Sequence, residues 1–172
     1  QKALVSLETG FSGVDQIFNL KVKQIEKKLA ENIPNKILLI GEAFRKKINI
    51  KKIQKLSKID NWFLNQIKEI VDKENEIKKN GLPKTHSDFN YIKSIGFSDK
   101  KLSELANISE HNVRKIRSKL KIFPVYKKVD TCASEFKSFT PYMYSTYQRN
   151  FSVNSECEAD PSSRKKIIIL GG

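Results

Sequence analysis

The chain has 172 residues, with 33 Lys and Arg against 19 Asp and Glu for a net charge of +14, and a hydrophobic fraction of 38%. That length suits one domain with a real core, or one domain plus a tail, and the periodic clustering of apolar residues excludes a wholly disordered chain. No run of 18 apolar residues occurs, which excludes a helical membrane span, and the start Gln1-Lys2-Ala3-Leu4 lacks the apolar stretch of a secretion signal.

Residues 1–9 read as the end of a helix, stopped by Gly10. Residues 11–15 read as a loop. Ile17, Leu20, Ile25 and Leu29 recur at helical spacing and predict a helix over about 16–31. Pro34 opens the next, about 35–47, with Ile37, Leu38, Ile40, Ala43 and Phe44 directed inward. Asn49 is placed to cap a short helix holding Ile53 and Leu56. Asp60 caps the longest predicted helix, about 61–79. Its expected core face is Trp62, Phe63, Ile67, Ile70, Val71 and Ile77. Its expected outer face carries the i,i+4 pairs Glu69–Lys73 and Glu74–Lys78. Gly81 and Pro83 end it.

Three shorter helices follow, each opened by a serine able to accept a backbone N–H. Ser87 starts one that runs to Gly96. Ser98 starts a second, about 99–106, burying Leu102 and Leu105. Ser109 starts a third, about 110–120, burying Val113, Ile116 and Leu120. Beyond residue 121 the character changes. Residues 124–129 read as extended, and Pro141 forces extension at Thr140. Tyr142 and Tyr144 then share one side of an extended segment. Residues 148–163 are polar and read as a linker. Residues 165–170, with Ile167, Ile168, Ile169 and Leu170 after two lysines, read as an apolar strand without alternation, like one of a buried parallel sheet.

The fold class predicted is mainly α: an irregular multi-helix domain, an extended linker, and the first β-strand of a following α/β domain. The sole methionine is Met143, and the last residues run from an apolar stretch into Gly171-Gly172, so the sequence reads as a piece of something longer. Lysine is spread evenly alongside abundant Ile and Asn. That pattern points to the base composition of an AT-rich genome more than to a charged binding face.

Few residues carry chemistry. His86 and His111 have no cysteine or carboxylate at ligand spacing and read as surface histidines, so no metal site is predicted. Cys132 and Cys157 read as free thiols of a reducing compartment. No phosphate loop is complete, although Gly171 and Gly172 resemble the start of one. Two short helices joined at residues 107–109 form a helix-turn-helix pattern that displays Asn112, Arg114, Lys115, Arg117 and Lys119. A basic DNA-binding module is therefore the alternative reading. The tracts at 125–133 and 140–147 mix aromatic, hydroxyl, thiol and charged groups. They suit a buried strap in which each polar tip finds a partner. The candidate strap residues are Tyr126, Lys128, Asp130, Thr131, Cys132, Glu135, Tyr142, Tyr144 and Tyr147.

The strap carries a family resemblance. The run VYKKVDTCASEFKSFTPYMYSTY at 125–147 resembles the large chain of carbamoyl phosphate synthetase. Segments 1–15, 40–67, 96–117 and 156–172 agree with it, so the resemblance covers essentially the whole chain. It implies a parent enzyme that makes carbamoyl phosphate from bicarbonate, glutamine-derived ammonia and two ATP, for arginine and pyrimidine biosynthesis in the cytoplasm. On this resemblance residues 1–10 end one ATP-grasp half and 11–120 form the helical oligomerization domain. Residues 121–163 form the strap and linker, and 164–172 open the second half. ATP, magnesium or manganese, and potassium would belong to the flanking halves, leaving this piece with no cofactor and no catalytic residue. The implied partners are those halves, other large chains and the glutaminase small chain. Membrane contact is not implied, and nucleic acid is disfavoured. The lysine load and the run 148–155 depart from the family pattern.

Overall fold

The computed structural model describes residues 1–133, 135–136, 140–147 and 157–167. The chain forms two compact units, Gln1–Ile122 and Phe123–Gly172. The first holds eight helices: α1 (Lys2–Val5), α2 (Val22–Ala30), α3 (Lys36–Arg45), α4 (Ile50–Ser57), α5 (Asn61–Asn80), α6 (His86–Ser94), α7 (Asp99–Ala106) and α8 (Glu110–Lys119). The second holds two described strands, β1 (Val125–Lys128) and β2 (Met143–Thr146). The chain is thus mainly α, as the periodicity predicts.

Helix starts follow cap chemistry. Asn49, Asp60, Ser98 and Ser109 each accept a backbone N–H at the predicted place. The exception is α6. Thr85, not Ser87, caps it, accepting the Asp88 N–H at 3.1 Å and donating its hydroxyl to the Asp88 carboxylate at 2.7 Å.

The expected helix over 16–31 is half right. Residues 17–21 are irregular, and only Val22–Ala30 is helical. Phe18 and Leu20 pack on the core while Ile17 and Asn19 are exposed, so this stretch alternates with period two. The three-residue spacing of Ile17 and Leu20 mimics a helix without being one. Lys21 supplies no capping oxygen, so Gln24 reaches back and accepts the Lys21 N–H at 2.8 Å.

Helix α3 is the centre of the first unit. Leu38 to Phe44 are all buried, and the helix packs against α2, α4 and α5. A helix apolar on nearly every side belongs in the middle of a core. Gly41 lets the 11–15 loop lie directly on it: a Cβ there would stand 2.5 Å from a Val14 methyl. The predicted inward Ile37 is instead exposed, one residue before the buried run starts.

Helix α5 departs further from expectation. Its buried residues are Leu64, Ile67, Val71, Glu74 and Ile77. Trp62 and Phe63 are 60% and 57% exposed, stacked edge to face at 4.9 Å between ring centres. Helices α7 and α8 pack on each other through a short turn, in which Asn107 takes the left-handed conformation at φ 52°. Asparagine tolerates that conformation better than most residues.

In the second unit β1 and β2 pair antiparallel, Val125 with Thr146, Tyr126 with Ser145, Lys127 with Tyr144 and Lys128 with Met143. The Val129 N–H donates to the Tyr142 carbonyl at 3.0 Å and carries the ladder one step beyond β1. Residues 165–167 are exposed and not part of a strand, and the rest of the predicted 165–170 strand lies outside the described residues.

Candidate interdomain site

Antiparallel pairing puts opposed residues on one face and alternates faces along each strand. Tyr126 and Met143 therefore lie on one face of the ribbon, and Tyr144 and Val125 on the other. Within this chain Tyr126 is 47%, Tyr142 72% and Tyr144 52% exposed, while Tyr147 is half-buried. After β1 the chain turns locally. The Asp130 carboxylate accepts the Cys132 N–H at 2.9 Å, and the Thr131 hydroxyl lies 3.7 Å from the Cys132 sulfur. Glu135 is exposed, and Gly171 and Gly172 lie outside the described residues.

A residue not singled out from the sequence organises this unit. The Glu158 N–H donates to the Tyr126 carbonyl at 2.8 Å. Its carboxylate accepts from Lys127 Nζ at 2.9 Å and from the Lys128 N–H at 2.8 Å. Glu158 thus clamps the edge of β1 away from β2. The Lys127 ammonium and the Lys128 N–H hold its carboxyl below the ordinary glutamate range. Both cysteines are free. Backbone hydrogen bonds from Tyr126 and Ala159 lower the pKa of the exposed Cys157 thiol.

In the first unit the charged side chains that matter are buried. Glu74 does not pair with Lys78 on a solvated face, as its spacing suggested. It is 1% exposed and bonds Arg45 through Nε at 3.1 Å and Nη2 at 2.7 Å. Arg45 also donates to the Val14 carbonyl and lies 3.8 Å from the fully buried Glu42. Lys101 of α7 bonds Asp15 at 2.5 Å and lies 3.6 Å from Glu74. Burial opposes ionisation of Asp15. Hydrogen bonds from Lys101 and the Ser12 N–H, with the charges of Lys101 and Arg45, outweigh it and hold the carboxyl below the usual aspartate range. One network therefore ties the 11–15 loop to α3, α5 and α7. The signal for it is a glutamate on the apolar stripe Leu64, Ile67, Val71, Glu74. The outer ion pairs of α5 are Lys68–Asp72 and Lys73–Glu76, while Glu69 takes the Tyr91 hydroxyl.

A second buried knot joins α6, α7 and α8. Lys93 donates to the Phe97 carbonyl at 2.7 Å and to Asp99 at 2.8 Å. Arg117 donates to the other Asp99 oxygen at 3.1 Å and to the Ile122 carbonyl at 3.0 Å. Burial raises the Asp99 pKa, but the Lys93 hydrogen bond and the two cations bring it below the ordinary value. Arg117 is thus a structural residue and not the groove contact a DNA-reading helix requires. Asn112, Arg114, Lys115 and Lys119 are exposed, and Arg114 bonds Glu110 at 3.2 Å. His86 and His111 are exposed, and no cluster of three His, Cys, Asp or Glu suited to a metal ion occurs among the described residues. No helix among them is long and apolar enough to cross a membrane.

The fold is that of a mainly helical domain with ion pairs buried in its core, followed by a short two-stranded ribbon. The family model for the oligomerisation domain of the carbamoyl-phosphate synthetase large chain matches residues 1–121. The chain belongs to that family. It is 40% identical over its whole length to the carbamoyl phosphate synthase large chain of Brucella melitensis, 42% to that of Pseudomonas aeruginosa and 43% to that of Vibrio cholerae. It spans only 15% or 16% of the length of those relatives.

Proposed function

We propose that this domain is the non-catalytic connector of a cytoplasmic large chain that makes carbamoyl phosphate from bicarbonate, glutamine-derived ammonia and ATP. The observation that carries the reading is the match of residues 1–121 to the oligomerisation domain, which coincides with the compact unit Gln1–Ile122. In this reading the helical unit spaces two ATP-using halves and supports association of large chains. Nucleotide, divalent metal and potassium bind in those halves, and a glutaminase small chain supplies ammonia. The ribbon and its flanks, 121–163, act as the strap. Exposed tyrosines at 126, 142 and 144 support this role, because each presents a large apolar ring and a polar tip to whatever covers it.

The test is coupling. In the full-length enzyme, Tyr144→Ala should lower the carbamoyl phosphate formed per ATP consumed several-fold while bicarbonate-dependent ATP hydrolysis continues. An unchanged ratio of product to ATP would count against the strap. Sedimentation of the full-length chain, with and without the exposed α2 side chains exchanged for acids, tests self-association separately.

A further inference from the structure

Three polar atoms in the network that joins α3 to α5 have no hydrogen-bond partner among the described residues: Glu42 Oε2, Arg45 Nη1 and Glu74 Oε1. The side chains of Glu42, Arg45 and Glu74 are 0%, 9% and 2% exposed. Buried polar groups are satisfied either by protein or by ordered water, because leaving them unpaired is costly.

The other atoms of the same groups are already engaged. Arg45 Nε and Nη2 donate to Glu74 Oε2 at 3.1 and 2.7 Å, and Nη2 also donates to the Val14 carbonyl. Glu42 Oε1 accepts from Gln16 Nε2 at 3.4 Å and lies 3.9 Å from Lys46 Nζ. Gln16 is exposed and so is much of Lys46, so Oε1 faces the surface while Oε2 faces the buried guanidinium. Arg45 Nη1 and Glu42 Oε2 stand 3.8 Å apart. A direct hydrogen bond needs about 2.7–3.2 Å. Bonds to Glu74 and Val14 hold the guanidinium, and the Gln16 bond holds the carboxylate, against closing that interval. Gly41 sets no side chain against this flank of Arg45, where a Cβ would stand 3.5 Å from Nη1.

The three atoms select what binds between them. An anion would meet two carboxylates. A metal ion would meet the guanidinium, and no cluster of three ligating side chains suited to one occurs among the described residues. One donor and two acceptors are left over, and a water molecule offers one acceptor site and two donors to match them. Polar groups held just beyond direct contact are where a bridging water belongs.

We propose that Glu42 and Arg45 hold one ordered water as a built-in ligand of the helical unit. It accepts from Arg45 Nη1, donates to Glu42 Oε2 and directs its second hydrogen to the Glu74 carboxylate. The water steadies Arg45 from the side that Glu74 Oε2 does not reach. Through Arg45 it helps to fix the 11–15 loop on α3 and α5.

The experiment is a high-resolution structure of the full-length polypeptide from crystals grown in D2O, read by X-ray and neutron diffraction. The expected result is an isolated peak within about 2.7–3.2 Å of both Arg45 Nη1 and Glu42 Oε2, with the paired deuterons that identify water. A direct Arg45–Glu42 bond, an interval without density, or a peak that refines as a metal ion or an anion overturns the inference. Glu42→Met gives a second readout. It removes one partner of the water, so the peak should be lost while Arg45 stays on Glu74. A peak undiminished in the variant overturns the inference as well. Should the variant fail to fold, the native density decides by itself.

Discussion

The two units of this chain are held together by different physics. Residues 1–122 bury an apolar core, with Leu29, Leu39, Ile53, Leu64, Phe89 and Val113 at 0% exposure. From Phe123 onward none of the described residues is buried. The ribbon is specified by backbone pairing, the Asp130 turn and the Glu158 clamp. Two-stranded ribbons are marginal alone in water. A unit with a core dictates its own shape, whereas a unit without one takes its stability from its surroundings. The proposed connector and strap would call for that contrast.

The comparison breaks most sharply in the core. Phe89→Ala should lower the unfolding free energy of the helical unit by about 4 kcal/mol, seen in urea denaturation, because a fully buried ring is replaced by a cavity. Hydrogen exchange of the β1 amides should stay as it was. Loss of their protection would show that the two units share one stability.

Glu74→Ala comes next. It leaves Arg45 buried without the carboxylate it hydrogen-bonds, and the expected loss is about 3 kcal/mol. Glu74→Leu combined with Arg45→Met should recover part of it, since an apolar pair of similar volume avoids the stranded charge.

The smallest effect belongs to the ribbon. Glu158→Gln should speed exchange of the Lys128 amide without moving the urea midpoint of the helical unit. The same clamp gives a pH signature. The folded pKa of Glu158 lies below its ordinary value, so its contribution is present above that ordinary value. It fades as pH falls through the lower, folded one. Protection of the Lys128 amide should therefore weaken in acid for the native chain and stay flat for Glu158→Gln.

Local chemistry was legible in the sequence where it decides structure locally. Asn49, Asp60, Ser98 and Ser109 cap helices where their short polar side chains predicted. Thr85, two residues before Ser87, takes the cap because its oxygen reaches the Asp88 N–H. Periodicity failed at 16–21, where three-residue spacing hid an irregular stretch whose exposure alternates. It failed again on α5, where Trp62 and Phe63 look like core residues by type but face outward by phase. The buried network was hidden because Glu74 has lysine neighbours at helical spacing, while its real partner, Arg45, is 29 residues away. Pairing over such distances leaves no local trace. The candidate strap residues rest on composition and resemblance, but Glu158, which bonds Tyr126, Lys127 and Lys128 along β1, sits in a tract that reads as polar linker.

A ribbon only two strands wide has a front, a back and nothing between. Tyr126 and Met143 project from one side while Tyr144 projects from the other, so a flat wall could accommodate only half of these groups. If the ribbon serves as the proposed strap, its matching environment is a slot, and a slot closed around both sides would make the tape a wedge whose withdrawal unseats two surfaces together.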